Sequence, residues 1–298
     1  MEKQNLQSVP TSKTILFYLF LIFVISWSLQ AIAYLTTGDI NSDDAEIWLV
    51  LTMFVPLIVT IIFLLKDKSL RKYVLWKPKL SVLGYIILAT VIPTIIAFGV
   101  LFITQINNWG ESGWFVFNAN QVTISGGPFV LGTGTQNWFL FILNILFTAI
   151  VFSLFNGIPA AGEEFAWRGF FQSILTERLG TTKGIFLLGF IWSMWHLPAQ
   201  LVGYNFPEYP IFGSFVISPI ELIATSLFMG WLTIKSKSFI PAAVAHGAGN
   251  SIQEGVISNI KLFESRLYED LTTLLITVLI GLFFMYLLRR KSTRHVAS

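Results

Sequence analysis

The stretch WFLFILNILFTAIVFSLFNGI (Trp138–Ile158) contains no charged residue, and Glu163-Glu164-Phe-Ala-Trp-Arg168-Gly169 follows shortly after it. An α-helix rises about 1.5 Å per residue, so a run of this length is enough to cross about 30 Å of hydrocarbon. Charged side chains within a membrane are energetically unfavourable, and they therefore mark functional sites by default. This part of the chain predicts a membrane helix that carries reactive groups with it.

Similar apolar runs recur along the chain, in which 54% of the 298 residues are hydrophobic and 12% are charged. This composition is typical of an integral membrane protein. We predict an all-α, polytopic membrane protein with about eight transmembrane helices and a single domain over residues 1–298. The spans are placed at Ile15–Leu35, Ile47–Leu65, Leu80–Ile103, Trp138–Ile158, Gly184–Leu201, Pro219–Ile234, Phe239–Ile257 and Leu271–Leu288. A separate helix is predicted from about Ala160 to Leu179, and the loop Asn107–Gln136, rich in Gly, Asn, Thr and Ser, is predicted to be the least ordered part.

The net charge of +3 does not indicate affinity for nucleic acid, because the basic residues form no patch with interleaved aromatic residues. They lie beside apolar runs, as expected for loops that flank membrane spans. They concentrate in Lys66–Lys79, Lys235–Lys237 and Arg289–Lys291. The positive-inside rule therefore predicts that both termini are cytoplasmic. The first span also has features of a signal peptide, with Ala31-Ile-Ala33 as a cleavage site, but its apolar run is longer than a usual signal core. The chain has no cysteine, which excludes disulfides and thiolate metal sites.

The paired carboxylates have different predicted surroundings. On a helix, Glu164 and Arg168 are four residues apart and can pair on one face. Glu163 is about 100° further round and is free to face something else. A low-dielectric environment suits such an unpaired carboxylate to accept a proton from water. The alternative is a structural ion pair with one interfacial acid.

Two histidines lie in later apolar segments. Pro198 biases Leu197 away from helical geometry, so we predict that the helix ends or kinks beside His196. The alternative role for His196 is that of an interfacial histidine within an aromatic belt.

The second histidine, His246, is four residues before Asn250, so both side chains point from the same helical face. Gly247 and Gly249 would let a neighbouring helix or a substrate backbone approach closely. A simple hydrogen bond between packed helices would use the same residues.

Taken in order, these residues resemble a known family. Glu163-Glu164-x-x-x-Arg168-Gly, an aromatic residue four before His196 with Leu-Pro after it, and His246-x-x-x-Asn250 resemble the three motifs of the CAAX prenyl protease 2-like intramembrane endopeptidases. This group is also called the CPBP or Abi family. The motif-bearing core covers approximately residues 137–258. One departure is Trp192, where the family usually has Phe.

The resemblance implies an eight-span protease with a water-accessible cavity inside the membrane and no cofactor. Glu163 with His196 would activate the hydrolytic water, and His246 with Asn250 would stabilise the tetrahedral oxyanion. Glu164 and Arg168 would support the helix that carries Glu163. The implied partners are the lipid bilayer and a membrane-associated peptide or protein substrate, with or without a lipid modification.

Other functions use the same residues. Glu163, His196 and His246 form a plausible zinc set with a vacant fourth position, so a zinc-dependent protease is one alternative. A non-catalytic membrane scaffold or bacteriocin-immunity protein is another, and a proton-coupled transporter is a third.

A question of depth remains between the first two motifs. If Glu177, Arg178 and Lys183 lie in the cytoplasm, His196 is roughly 20 Å further along its helix, and Glu163 must reach the same level. We predict a helix break at Asn156-Gly-Ile-Pro159 that lets the chain dip back into the membrane.

Overall fold

The computed structural model describes residues 9–76, 80 and 82–292. Lys77 and Lys79 of the basic loop lie outside these residues. Within them the chain forms nine numbered helices: α1 (Ser12–Thr37), α2 (Asp43–Lys66), α3 (Val82–Ile106), α4 (Trp138–Leu179), α5 (Thr181–Trp195), α6 (Leu197–Leu201), α7 (Pro210–Ser236), α8 (240–258) and α9 (Arg266–Ser292). A short 3-10 helix, Lys68–Tyr73, lies between α2 and α3. The predicted all-α, polytopic class is confirmed.

Six of the described helices are long and apolar enough to cross a membrane, namely α1, α2, α3, α4, α7 and α9. They account for six of the eight predicted spans. The other two, Gly184–Leu201 and Phe239–Ile257, fall in α5 with α6 and in α8. Large apolar side chains cover the outer surface, as at Leu16 (65% exposed) and Phe139 (78% exposed). Such a surface suits lipid rather than water.

Helix α4 is continuous, so the predicted break at Asn156-Gly-Ile-Pro159 and the separate helix from Ala160 are wrong. Pro159 lies inside the helix. Proline is tolerated there because neighbouring helices and local adjustments can satisfy the freed backbone groups in a membrane protein. The irregularity lies instead at Phe165–Phe171, which is a π-helical segment. Such segments are frequent at functional sites.

The turn between α4 and α5 resolves the question of depth. Gly180 has φ +79° and reverses the chain, and Gly184 packs so closely that an added Cβ would lie 2.8 Å from the backbone of Leu175. Glu163 precedes Gly180 by 17 residues, and His196 follows it by 16. The two arms of this helical hairpin therefore bring both side chains to a similar level without re-entry.

The segment 107–136 is more regular than its composition predicts. Strands Phe115–Phe117 (β2), Gln121–Ile124 (β3) and Gly134–Asn137 (β4) form an antiparallel sheet, and Gly110–Ser112 (β1) pairs with Ile260–Leu262 (β5). Phe115 is buried and packs against Phe98 and Phe141. Aromatic anchoring to the helices thus orders a segment whose glycines and polar residues predict a loose loop.

The bundle has two chemically different ends. We call one of them the basic end. There the segment after the Lys68–Tyr73 helix contacts the turn after α7, and the N–H of Phe239 donates to the carbonyl of Leu75 (3.2 Å). The guanidinium of Arg178 donates to Ser12 Oγ (3.2 Å), which adds the start of α1. At the other, the sheet end, β1 pairs with β5, and Trp109 stacks on Tyr268 at the start of α9 (4.9 Å between ring centroids).

Candidate active site

A cavity of about 670 Å³ lies within the bundle, and all four residues to which we assign chemistry line it. These residues are Glu163, His196, His246 and Asn250. The loops around Asn41 and Asn205 reach the cavity. They lie at the sheet end, because Tyr209 bonds to Asp270 near the start of α9 and Asn41 Nδ2 lies 3.5 Å from Gly203 O. The cavity therefore opens towards the sheet end.

Glu163 is almost fully buried, with 1% of its surface exposed. It sits in the last turn of the regular part of α4, just before the π-helical segment. The indole Nε1–H of Trp192 donates to Glu163 Oε2 at 2.8 Å. Within residues 9–76, 80 and 82–292, Oε1 has no hydrogen-bond partner from the protein. One oxygen is therefore held in place while the other can bind a water molecule.

Glu164 and Arg168 form the predicted ion pair, and both side chains are fully buried. Arg168 Nη1 donates to Glu164 Oε1 at 2.8 Å, and Nη2 donates to Ser226 Oγ on α7 at 2.9 Å. The guanidinium also lies over the Trp192 ring, 4.1 Å from its centroid. A cation over an indole face is attracted by the ring, most strongly where water is excluded. Arg168 thus ties α4 to both α5 and α7.

Glu164 has a second partner that the linear spacing does not predict, because His246 Nδ1 lies 3.0 Å from the same Oε1. An ionised carboxylate accepts hydrogen bonds only, so Nδ1 of His246 carries the proton in this contact. Glu164 therefore orients His246 as well as pairing with Arg168. The two residues are 82 positions apart in the chain, and no sequence signal indicates their contact.

His196 is oriented by the end of α5, as the Pro198 argument predicts. The helix stops at Trp195, and the N–H of His196 donates to Ser193 O rather than continuing the α-helical pattern. The carbonyl of Trp192 instead accepts from His196 Nδ1 at 2.9 Å. Because a carbonyl only accepts, this bond fixes the tautomer of a neutral imidazole and leaves Nε2 unprotonated.

Trp192 organises more of the site than its position in the motif suggests. Its ring lies against both imidazoles, with centroid distances of 5.7 Å to His196 and 5.3 Å to His246. It also holds Glu163 through its indole N–H. Phe, which the resembled family usually has here, fills similar space but cannot donate a hydrogen bond. Trp at this position therefore adds a hydrogen bond to Glu163 that Phe could not make.

The donor atoms fit zinc poorly. Among the described residues, the group with ligand atoms within 4.8 Å of one another is Glu163, Glu164 and His246, with Glu164 in place of the predicted His196. Glu164 Oε1 is already shared by Arg168 and by His246 Nδ1. A divalent cation at this point would compete with a buried guanidinium for the same carboxylate. The alternative zinc set of Glu163, His196 and His246 does not form such a group.

Gly247 brings α8 against α4, as predicted. A Cβ atom at this position would lie 2.3 Å from the backbone nitrogen of Gly157 and 2.6 Å from the carbonyl oxygen of Ser153. At Gly249, by contrast, a Cβ would meet nothing within 4 Å in the described part of the chain. Of these two glycines, Gly247 is therefore the one that lets a helix approach closely, and this contact positions the neighbouring His246.

Gly247→Ala is expected to destabilise the protein by about 1–3 kcal/mol, because the added methyl group forces α8 away from the α4 backbone. Gly249→Ala, which has room for the methyl group, is the matched control and should be neutral or slightly stabilising. Thermal unfolding of both variants in the same detergent measures the difference. Equal melting temperatures would show that the helix contact at Gly247 yields without strain.

Residues 135–252 match the family described as type II CAAX prenyl endopeptidase Rce1-like. The match spans the three motifs, from Glu163 to Asn250. No curated protein matches the chain. The matching family is one of proteases, and the six apolar helices make the chain an integral membrane protein. The resemblance predicted from the motifs is confirmed, since residues 135–252 are similar to the Rce1-like family of type II CAAX prenyl endopeptidases.

Proposed function

We propose that this protein is an intramembrane endopeptidase in which Glu163 and His196 activate water and His246 and Asn250 stabilise the oxyanion. The observation that carries the proposal is the convergence of these four side chains on one cavity, with Glu163 buried and one of its oxygens free of protein donors. The family match supports a CAAX-type endopeptidase, and a membrane-associated substrate follows from it.

The geometry suggests a division of roles in the attacking step. Water bound at Glu163 Oε1 gives up a proton as its oxygen adds to the scissile carbonyl, and Glu163 or the unprotonated Nε2 of His196 receives that proton. A general base of this kind works best when it is held in place before the substrate arrives. Trp192 provides that support for both residues, through its indole N–H to Glu163 and its carbonyl to His196.

The oxyanion would be bound from α8. His246 Nδ1–H is committed to Glu164, so Nε2 can donate to the oxyanion only when the ring is an imidazolium. The two carboxylates beside it, Glu163 and Glu164, favour that charged form. Asn250 adds a neutral amide donor that needs no change of protonation. The proposed hole thus combines one charged and one uncharged donor.

Comparison of protein N-termini in membranes tests this function. Cells that produce the wild-type protein should contain new N-termini of one or more membrane-associated proteins, and cells that produce Glu163→Ala at the same level should lack them. New C-termini are compared as well, because cleavage near the C-terminus of a lipid-modified substrate leaves its own N-terminus unchanged. Identical sets of N-termini and C-termini would favour the scaffold or immunity alternative, and proton-linked solute uptake in vesicles would favour a transporter.

Metal removal and Asn250→Ala separate the metal-free mechanism from the zinc alternative. Loss of one oxyanion donor is expected to reduce kcat by about 10²–10³-fold with little change in KM. A chelator should leave the wild-type rate unchanged, since no step uses a metal. About one equivalent of zinc per chain, with activity that follows its removal and return, would contradict this assignment.

A further inference from the structure

The cavity carries a second set of charges, separate from the four residues above. Four carboxylates from four different helices line it towards the sheet end, and we call them the acidic ring: Glu46 on α2, Glu221 on α7, Glu254 on α8 and Asp270 on α9. Arg266 is the one guanidinium that lines the cavity beside them within the described residues. Its Nε lies 4.0 Å from Asp270 Oδ2, which is a weak contact. This part of the cavity wall therefore carries four acidic side chains and one guanidinium, in a chain whose net charge is +3.

Two buried side chains beside the acidic ring have a polar atom with no hydrogen-bond partner among the described residues. Gln200 lines the cavity with 2% of its surface exposed, and its Nε2 donates to Ser218 Oγ at 2.9 Å, one turn before Glu221. Its Oε1 has no partner in the part of the chain that the structure describes. The Thr277 hydroxyl, on the same face of α9 as Asp270, is 4% exposed and also unpartnered there. A buried amide oxygen only accepts hydrogen bonds and is normally satisfied, so Gln200 Oε1 indicates a missing donor.

Two tyrosines interact with carboxylates of the acidic ring. The Tyr209 hydroxyl donates to Asp270, which occupies one oxygen of that carboxylate. Burial raises the pKa of the Tyr204 phenol, and the carboxylates of Glu254, Glu163 and Glu46 raise it further. Carboxylates of the acidic ring therefore act on Tyr204 at the mouth of the cavity, and a cation bound beside them would lower their energy.

We propose that the acidic ring binds a lysine or arginine side chain of the substrate and thereby positions a cationic peptide segment at the mouth of the cavity. An ammonium or guanidinium supplies only donors, which is what the carboxylates and Gln200 Oε1 require. The inference rests on the proposed peptidase function, since it names the class of peptide that the same cavity accepts. It gives the acidic ring a positioning role with no part in bond cleavage.

Binding of short labelled peptides tests the proposal without any cleavage step. The probes are a fluorescein-labelled tetra-arginine peptide and its tetra-citrulline analogue, which has nearly the same shape but no charge. Full-length protein is used in a neutral detergent, so that anionic lipid does not bind the probe. Fluorescence anisotropy should show the arginine peptide bound at least about tenfold more tightly than the citrulline peptide, as expected for one charge-assisted contact.

Glu221→Gln combined with Asp270→Asn should abolish that preference, because both changes keep the shape and remove the charge. Glu111→Gln combined with Glu264→Gln is the matched control, since these carboxylates also lie at the sheet end but do not line the cavity. If the first pair does not fold, Glu254→Gln at the exposed rim should still reduce the preference. Equal binding of the two peptides by wild type, or a preference that survives every ring substitution, would overturn the proposal.

Failure of the peptidase function is distinguishable from failure of this inference. The Glu163→Gln protein should bind the arginine peptide with the same preference as wild type, because Glu163 is not part of the acidic ring. If wild type prefers the arginine peptide but shows no proteolysis, the acidic ring stands as a cation-binding site and the peptidase function is wrong. If it shows proteolysis but no charge preference, the peptidase function stands and the proposed role of the ring is wrong.

Discussion

Glu163→Gln is expected to reduce the rate of proteolysis by about 10²–10⁴-fold, the contribution typical of a general base. Glutamine has the same size and can still accept the hydrogen bond from the Trp192 indole, so the protein should fold normally. Only the capacity to take a proton from water is lost. The rate should be measured on a substrate identified from its new N-terminus, with protein of verified melting temperature.

Glu177→Gln is the matched control for this experiment. Glu177 lies on the same helix, α4, but is exposed near the basic end, so its neutralisation should leave the rate unchanged. Full cleavage by the Glu163→Gln protein would end the hypothesis that glutamate is the base. Loss of activity in both variants would instead point to a general effect on α4.

Arg168→Ala and Glu164→Gln should each lower stability by about 3–5 kcal/mol, because removal of one member of a buried ion pair leaves the other charge without compensation. Both side chains are fully buried, and Arg168 also bonds to Ser226. Thermal unfolding in detergent should show the loss together with reduced activity. Arg178→Ala removes an exposed arginine from the same helix and should change the melting temperature much less.

A double substitution sharpens that result. Replacing Glu164 and Arg168 together by glutamine and methionine should be less destabilising than the sum of the single changes, because neither member of the ion pair is left without its partner. Melting temperatures of the single variants equal to that of wild type would show that solvent reaches the pair in the membrane.

Helix composition and local spacing are the parts of this molecule that the sequence predicts well. Length and apolarity are properties of single segments, so the six long helices follow from them. The pairing of Glu164 with Arg168 is a contact between residues four apart on one helix, which helical geometry alone determines. The end of α5 beside His196 follows from the stiffness of Pro198.

Contacts between segments that are distant in the sequence could not be predicted from it. The bond from His246 to Glu164 depends on how closely α8 packs against α4, and one glycine contact sets that distance. The predicted helix break near Pro159 was wrong. A proline in the sequence indicates that one backbone N–H is absent, but it does not indicate whether neighbouring helices compensate for the lost hydrogen bond. The sheet in residues 107–136 depends on aromatic contacts with α3 and α4, which local composition does not reveal.

The opening of the cavity at the sheet end predicts where the products of the proposed cleavage would be released. The described residues of the basic segments lie at the opposite end of the bundle, and the positive-inside rule predicts that this end is cytoplasmic. A soluble fragment cut inside the cavity would then leave into the compartment outside the cytoplasm, while a fragment that keeps its membrane anchor would return to the lipid. Secretion of the soluble product would thus need no further transport step.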